Sequence, residues 1–329
     1  MSQTPAAPPS AVSAVSVSSA TSATSVSSVA VAAAPAAVAT GAAAPPGRAP
    51  ARQSREALRA FLRNPSAVVG VLLLAAVLAV TLFGPALMPA DPFEIVSAPM
   101  EPPGAEFLLG TDYLGRDVLT GLVHGGRATL LVGVVAAVLS VLIGVTVGAL
   151  AGYYGGWIDE ALMRVTEFFQ VLPTLLFAMV LVTLFSPSLA TIAIAIGVVS
   201  WTGTARLARG EFLRLKRREY VLAERVIGAG DARIIWRVIL PNALAPLIVS
   251  ATLAVGTAVL FEAGLSFLGL GDPNVMSWGL MIGSNRPYIL TAWWAVTLPG
   301  AAIFLTVLAV SLIGDGLNDA LNPASRGRL

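Results

Sequence analysis

The chain has 329 residues, of which 56% are hydrophobic and only 12% charged, and its formal net charge is +2, with a mean hydropathy of +0.82. A soluble globular domain carries about 25% charged residues, so a chain this apolar must set much of its surface against lipid. With no cysteine and one histidine, His124, there can be no disulfide, thiolate nucleophile or multi-histidine metal site, and a charge of +2 makes no case for a nucleic-acid partner.

Residues 1–51 are mostly Ala, Ser, Val, Pro, Thr and Gly, with no charge before Arg48. They are expected to form a disordered low-complexity tail. Arg52, Arg55, Arg59 and Arg63 then fall at helical spacing on one face, which predicts a basic cytoplasmic helix over 52–66. It either meets anionic lipid or simply flanks the first span. Residues 67–127 read as the first transmembrane helix, Ala67 to Leu87, and an external segment.

Five further spans are expected within 128–315. The second covers Ala128 to Ala151. An uncharged stretch from Phe168 to Ala205 is broken by Ser186-Pro187-Ser188, and because about 20 residues cross a bilayer it holds spans three and four, the third opening near Ala161. Span five runs from about Asn242 to Leu265 and span six from about Thr291 to Gly314, leaving 316–329 as a cytoplasmic tail. One charge at the centre of such a span would cost ~3 kcal/mol, so their lack of charge is what lets them insert. Tyr153, Tyr154, Trp157, Trp201, Trp293 and Trp294 stand where interfacial anchors belong. Gly144, Gly148 and Gly152 form a doubled GxxxG on span two, suited either to close helix packing or to lining a path.

Orientation follows from the arginines. With the N-terminus inside, 17 of the 20 basic residues fall in cytoplasmic segments, and only Arg116, Arg127 and Arg286 lie outside. The fold expected is therefore all-α and polytopic, with six transmembrane helices and both termini cytoplasmic.

The loop between spans four and five, 206–241, holds nine basic and four acidic residues. Tyr220 to Ile227 and Ala232 to Leu240 both show helical apolar spacing, separated by a turn at Gly228-Ala229-Gly230. Two short amphipathic helices at an angle make a projecting element that suits a groove in a soluble partner.

Gly228, followed at the right distance by Val238-Ile239-Leu240-Pro241, resembles the EAA loop of ABC importer permeases, although Leu222, Ala223 and Glu224 stand at the first three motif positions. Four more segments are similar to the oligopeptide/dipeptide branch of that family. They are Phe61 to Pro65, Leu109 to Asp117 (LGTDYLGRD), Glu262 to Gly271 followed by Ser277-Trp278-Gly279, and Gly314 to Pro323, where Asn318 and Asn322 depart from the family pattern. The extra first span and long outer loop resemble the C-type of the two permeases in such systems. The resemblance implies a transport subunit for di- or oligopeptides, nickel chelates or oligosaccharides that works by alternating access. It also implies a homologous second permease, an extracytoplasmic solute-binding protein and two cytoplasmic P-loop ATPases. No cofactor is expected in this chain, ATP being bound by those partners, and no enzymatic site of its own: its single lysine, Lys216, follows Leu215, whereas a Walker A lysine follows glycine.

By the same resemblance the coupling contacts fall on Leu222, Ala223, Gly228, Leu240 and Pro241, with Glu219, Glu224 and Asp231 as candidates for the polar one. Glu262, Gly144 and Gly148 are candidates for a gate or substrate path. Glu262 is the ionisable residue nearest the interior of a span, so it is either functional or an interfacial hydrogen-bonding residue. In GTDYLGRD, Asp112 or Asp117 is expected to pair with Arg116 or Arg127, and His124 to make a polar contact in an outer glycine-rich loop. Two other readings of the apolar chain remain: an ion-coupled secondary transporter and a membrane scaffold that moves nothing.

Overall fold

The computed structural model describes residues 58–321, and among these it is helical throughout, with loops and two isolated β-bridges between the helices. The expected tail at 1–51 and Arg48, Arg52, Arg55, Arg326 and Arg328 lie outside the described residues.

Residues 58–63 are helical, so Arg59 and Arg63 do stand on a helix. Asn64 then restarts the chain as α1 (Pro65–Leu87), its side chain accepting the Ser66 and Ala67 amides, with Pro65 at the first position where no N–H is needed. α2 (Val118–Tyr154) is much longer than a bilayer crossing and begins ten residues before the predicted span. α3 (Gly156–Val171) and α4 (Thr174–Leu184) meet at an 88° bend. Pro173 causes it, because its ring drives Leu172 out of the helical region to an extended conformation. α5 (Leu189–Ser200), capped by the Ser188 hydroxyl, follows the Ser-Pro-Ser break and bends by 44° at Trp201 into α6 (Thr202–Leu215). α7 (Glu219–Val226) is short, and α8 (Leu240–Phe267) is the end of a helix that starts at Asp231. α9 (Trp278–Asn285) and α10 (Trp294–Leu321) complete the order.

Four of these helices are each long and apolar enough to cross a membrane, and six segments are if each bent pair counts as one span. The expected six therefore stand, two of them broken. Outward-facing Leu72, Phe83, Leu131, Leu142, Ile194 and Phe304 give the bundle an apolar exterior, as lipid requires.

The glycine stripe of α2 decides how the bundle packs. A Cβ on Gly144 would lie 2.7 Å from the Trp201 carbonyl and from Thr204, and one on Gly152 would lie 2.7 Å from the Arg209 carbonyl and from Phe212. A Cβ on Gly148 would run into the Ala205 carbonyl and Ala208. All three thus face α6, whose Ala205 and Ala208 are fully buried. Of the two readings of the stripe, the geometry shows close packing: Gly144 and Gly148 sit in a helix seam. A second close approach joins α1 to α10 through Gly70 and Gly316, and Asn64 Nδ2 donates to Asp319 (3.1 Å) across the same seam. The expected tail from 316 is therefore helical as far as Leu321.

Several anchors sit elsewhere than expected. Trp201 is buried, edge-on to Phe169 at 5.5 Å. Trp294 is buried and donates its indole N–H to the Thr111 carbonyl (3.0 Å). Tyr153 is buried as well, whereas Tyr154, Trp157 and Trp293 are exposed. Aromatic residues at a span end pack inward when a neighbouring helix is closer than the lipid interface.

Replacing Gly148 by Val forces α2 and α6 apart and should destabilise the chain by roughly 1–3 kcal/mol. Thermal unfolding in detergent is expected to shift down for Gly148→Val and to stay put for Gly203→Ala, whose added methyl meets nothing within 4 Å.

Candidate functional site

The segment from Lys216 to Pro241 joins α6 to α8 at the end of the bundle where α2 finishes. Its inner face is an apolar cluster in which Val221, Ile234, Ile235 and Ile239 pack with Phe212, Leu215 and Ala149. α7 reads at period 3.6: Val221 points in, and Glu219, Leu222, Ala223, Val226 and Ile227 point out.

Gly228 ends α7. Its φ is +82°, a region that glycine enters without Cβ strain. The Gly228 N–H donates to the Arg225 carbonyl and the Ala229 N–H to that of Glu224, so the last carbonyls of α7 are satisfied and the chain reverses. The predicted turn is here. The second amphipathic stretch, however, is not a separate helix. Asp231–Arg233 opens a helix that passes through a π-helical turn, Ile234–Ile239, directly into α8. Pro241 accounts for the widened turn: it has no N–H to donate and its ring would clash with the preceding carbonyls of an α-helix. Asn242 Nδ2 donates to the Val238 carbonyl in the same turn at 2.6 Å.

Polar contacts fix this segment to the end of α2. The Tyr153 hydroxyl donates to Asp231 Oδ1 at 2.5 Å, the Arg225 guanidinium lies over the same ring at 5.2 Å from its centroid, and Lys216 Nζ donates to the Tyr153 carbonyl at 3.2 Å. A cation is favoured there because it meets the partial negative charge of the α2 C-terminus. Burial, reinforced by Arg225 and Arg217, pushes the Lys216 ammonium below the usual lysine range. Glu224 faces Arg233 at 3.7 Å, and Asp159 on α3 holds Arg209 on α6 through two bonds of 2.5 and 2.6 Å.

The candidate residues therefore divide. Glu219, Leu222, Ala223, Glu224, Gly228, Asp231, Leu240 and Pro241 gather in one element. Leu222, Val226 and Ile227 are 47%, 86% and 75% exposed, which leaves an apolar ridge with no cover from this chain. Of the three polar candidates, Asp231 is engaged by Tyr153 and Glu224 faces Arg233, whereas Glu219 is exposed in the first turn of α7. Gly144 and Gly148 are in the α2/α6 seam. Glu262 lies about 22 residues along α8, roughly 33 Å away at 1.5 Å per residue. It is completely buried and hydrogen-bonded, accepting from Ser266 Oγ at 2.8 Å beside Thr129 and Ser277. Sequence reading missed Tyr153 and Lys216 as parts of the site. Tyr153 carries an aromatic signal, but nothing local points to a partner 78 residues on.

At the opposite end, the LGTDYLGRD segment is a backbone-satisfying structure. Asp112 Oδ1 accepts the Leu114 and Arg116 amides, and Asp117 caps α2 by accepting from Leu119, Thr120 and the Thr120 hydroxyl. Neither aspartate pairs with Arg116 or Arg127 among the described residues, contrary to expectation. Arg116 lies over Phe93, and Arg127 donates to the Thr81 and Leu82 carbonyls near the end of α1. Buried or half-buried amides need acceptors, and the two aspartates supply them. His124 is on α2, not in a loop, with Nδ1 3.0 Å from the Thr120 carbonyl.

Residues 144–327 match the family described as binding-protein-dependent transport system inner membrane component, and residues 52–103 match the N-terminal transmembrane domain of oligopeptide transport permease C. The chain is 42% identical over 277 residues to a di/tripeptide transport system permease protein of Pseudomonas aeruginosa, covering 82% of this chain and 91% of that one. It is 37% identical over 275 residues to an oligopeptide transport system permease protein of Bacillus subtilis, covering 83% and 90%. A solved structure of inward-facing conformations of the MetNI methionine ABC transporter is similar in fold, with a TM-score of 0.53 and 21% identity, covering 61% of this chain and 96% of that one.

Tyr153→Phe removes the hydroxyl that ties α2 to Asp231, a loss of about 1 kcal/mol. Amide hydrogen exchange over 231–239 is expected to speed up severalfold in that variant, while exchange in α1 and α10 stays unchanged.

Proposed function

Because the chain belongs to the family of binding-protein-dependent transport system inner membrane components, we propose that it is the C-type permease of an ABC importer for di- and oligopeptides, coupled to ATP hydrolysis through α7 and the Gly228 turn. It is a multi-pass transport subunit of the inner membrane. The peptide class is supported by the relatives, whose names specify di/tripeptide and oligopeptide transport.

The observation that carries the coupling role is the apolar ridge Leu222, Ala223, Val226 and Ile227 on α7, exposed at the tip of an otherwise basic element. Solvent-exposed apolar side chains at i, i+1, i+4 and i+5 share one helix face and suit insertion into a hydrophobic groove. The occupant in this reading is one of two cytoplasmic P-loop ATPases, and the excess of arginine around the ridge supports a cytosolic position for this end of the bundle. ATP binding and hydrolysis fall to those partners. Lys216, the only lysine, caps α2 and has no glycine-rich loop around it.

The mechanism is alternating access. α7 sits between the end of α6 and the start of the α8 helix, and both are fixed to α2, by the glycine seam and by Tyr153–Asp231. A push on α7 as the ATPases close therefore moves α2, α6 and the first turns of α8 together. A homologous second permease supplies the other wall of the path, and an extracytoplasmic binding protein delivers the solute to the end bearing the 88–117 segment.

Gly228→Val places a β-branched residue at φ +82°, at a cost of about 1–3 kcal/mol, with no packing clash to confuse the reading. Uptake is expected to collapse in proteoliposomes while insertion and ATPase binding persist; normal uptake would show that the turn does not aim α7. Leu222→Asp with Val226→Asp should abolish co-purification with the ATPases, and an intact complex would place the docking surface elsewhere.

A further inference from the structure

A cavity of about 750 Å³ opens between α3 and α6, lined in part by Thr166, Glu167 and Gln170 on one wall and by Gly203, Arg206 and Arg209 on the other. Small-molecule sites occupy roughly 300–1,000 Å³, so it is large enough for a short peptide. Its chemistry is unusual for a membrane bundle. Arg209 is neutralised by Asp159, but Arg206 meets only the Gln170 amide oxygen at 3.2 Å, and Glu167 pairs with no cation among the described residues. One cation and one anion thus stand on opposite walls, each on an exposed face of a helix that belongs to a bent pair. Charge in such a segment is strongly disfavoured unless it faces water or a polar ligand.

The two faces of α6 are built for different tasks. Ala205, Ala208 and Phe212 are buried, the first two against the glycines of α2, and fix the helix. On the other face Gly203, Arg206 and Gly210 follow at helical spacing, and a Cβ at either glycine would meet nothing within 4 Å. The guanidinium therefore stands on a cleared surface, open to an incoming group.

We propose that this cavity is the inner part of the solute path and that Arg206 and Glu167 receive the terminal carboxylate and ammonium of an unblocked peptide in transit. The reading rests on the proposed function and goes on to assign the residues that the solute meets. Every peptide carries those two termini whatever its side chains, so a site that reads them accepts many sequences. Arginine suits the first task because its planar fork binds a carboxylate through two parallel bonds. The cavity wall is also α6, the helix that leads into α7, so motion of the coupling element changes the width of the site. The open side of the cavity would be closed by the second permease.

Two measurements on the assembled importer in liposomes test this. Arg206→Gln should lower dipeptide uptake about tenfold, the loss of one charge-assisted pair, with assembly and binding-protein-stimulated ATP hydrolysis unchanged, and Arg206→Lys, which keeps the charge but not the fork, should recover part of it. Wild-type uptake in Arg206→Gln, parallel loss of ATP hydrolysis, or failure of lysine to rescue would overturn the assignment. The chain has no cysteine, so Gly203→Cys can be labelled with a membrane-impermeant thiol reagent, with outward-facing Val134→Cys as the lipid-exposed control. Faster labelling at 203 is expected, and rates equal to the control would mean that lipid or the second subunit fills the cavity. If the wild-type importer hydrolyses ATP but moves no peptide, the peptide reading fails and the solute assignment with it, while labelling at 203 still decides whether the cavity is a water-filled path.

Discussion

The close approach of α2 and α6 is the contact on which the rest of the molecule depends. Between helices in lipid there is no hydrophobic drive to associate, since the acyl chains are as apolar as the side chains they would replace. What remains is dispersion, and that requires backbones near enough for many atoms to touch. Gly144, Gly148 and Gly152 allow this over two full turns, with Ala205, Ala208 and Phe212 opposite. The outcome is a two-helix beam. At 37 residues α2 is about 55 Å long, so a displacement at its end near α7 reaches well beyond the bilayer midplane without any flexible joint.

The two ends of that beam are made differently. At the end bearing the 88–117 segment, backbone groups are satisfied by Asp112, Thr111 and Asp117, while Trp294 and Asn285 fasten α10 and α9 to the same loop through the Thr111 carbonyl and the Tyr113 amide. α9 is further held by Trp278, whose indole donates to the Leu122 carbonyl, and by Glu262, Ser266 and Thr129 beneath it. Glu262 thus belongs to a buried polar cluster far from the coupling element. At the other end the chain leaves apolar side chains uncovered and ties down only their supports. A surface left open in this way is suited to a partner that comes and goes.

The spans were legible because insertion depends on composition, and so on local sequence: Ala67 to Leu87 and Asn242 to Leu265 appear as helices within a few residues of where charge and hydropathy place them. The Gly228 turn was legible for a similar reason, since two periodic stretches separated by Gly-Ala-Gly leave few alternatives. The continuation of Asp231 into α8 was not. The loop reads as polar from Arg206 to Pro241, and a proline at 241 suggests a helix end; the π turn that accommodates it is invisible to a pattern search. The roles of Tyr153, Trp201 and Trp294 were hidden for another reason. Interface and interior both favour an aromatic residue at a span end, and only the position of a neighbour far away in sequence decides between them. Gly148 shows the same limit, because a small residue is equally fit to pack a helix or to clear a path.

Arginine illustrates how much a count conceals. Orientation in the bilayer depends on how many basic residues stay on one side, and for that purpose all 17 are equivalent. In the folded chain they are not. Arg209 spends its charge on Asp159, Arg225 lies on the Tyr153 ring, Arg233 faces Glu224, and Arg206 faces only an amide oxygen. The first three stiffen the connection between bundle and coupling element, and any carboxylate offered to them would have to displace an existing contact. Arg206 would gain a stronger partner than the one it has. Of the two arginines on the cavity wall, Arg206 is therefore the one without a carboxylate partner among the described residues, and it stands on the helix that leads directly into α7.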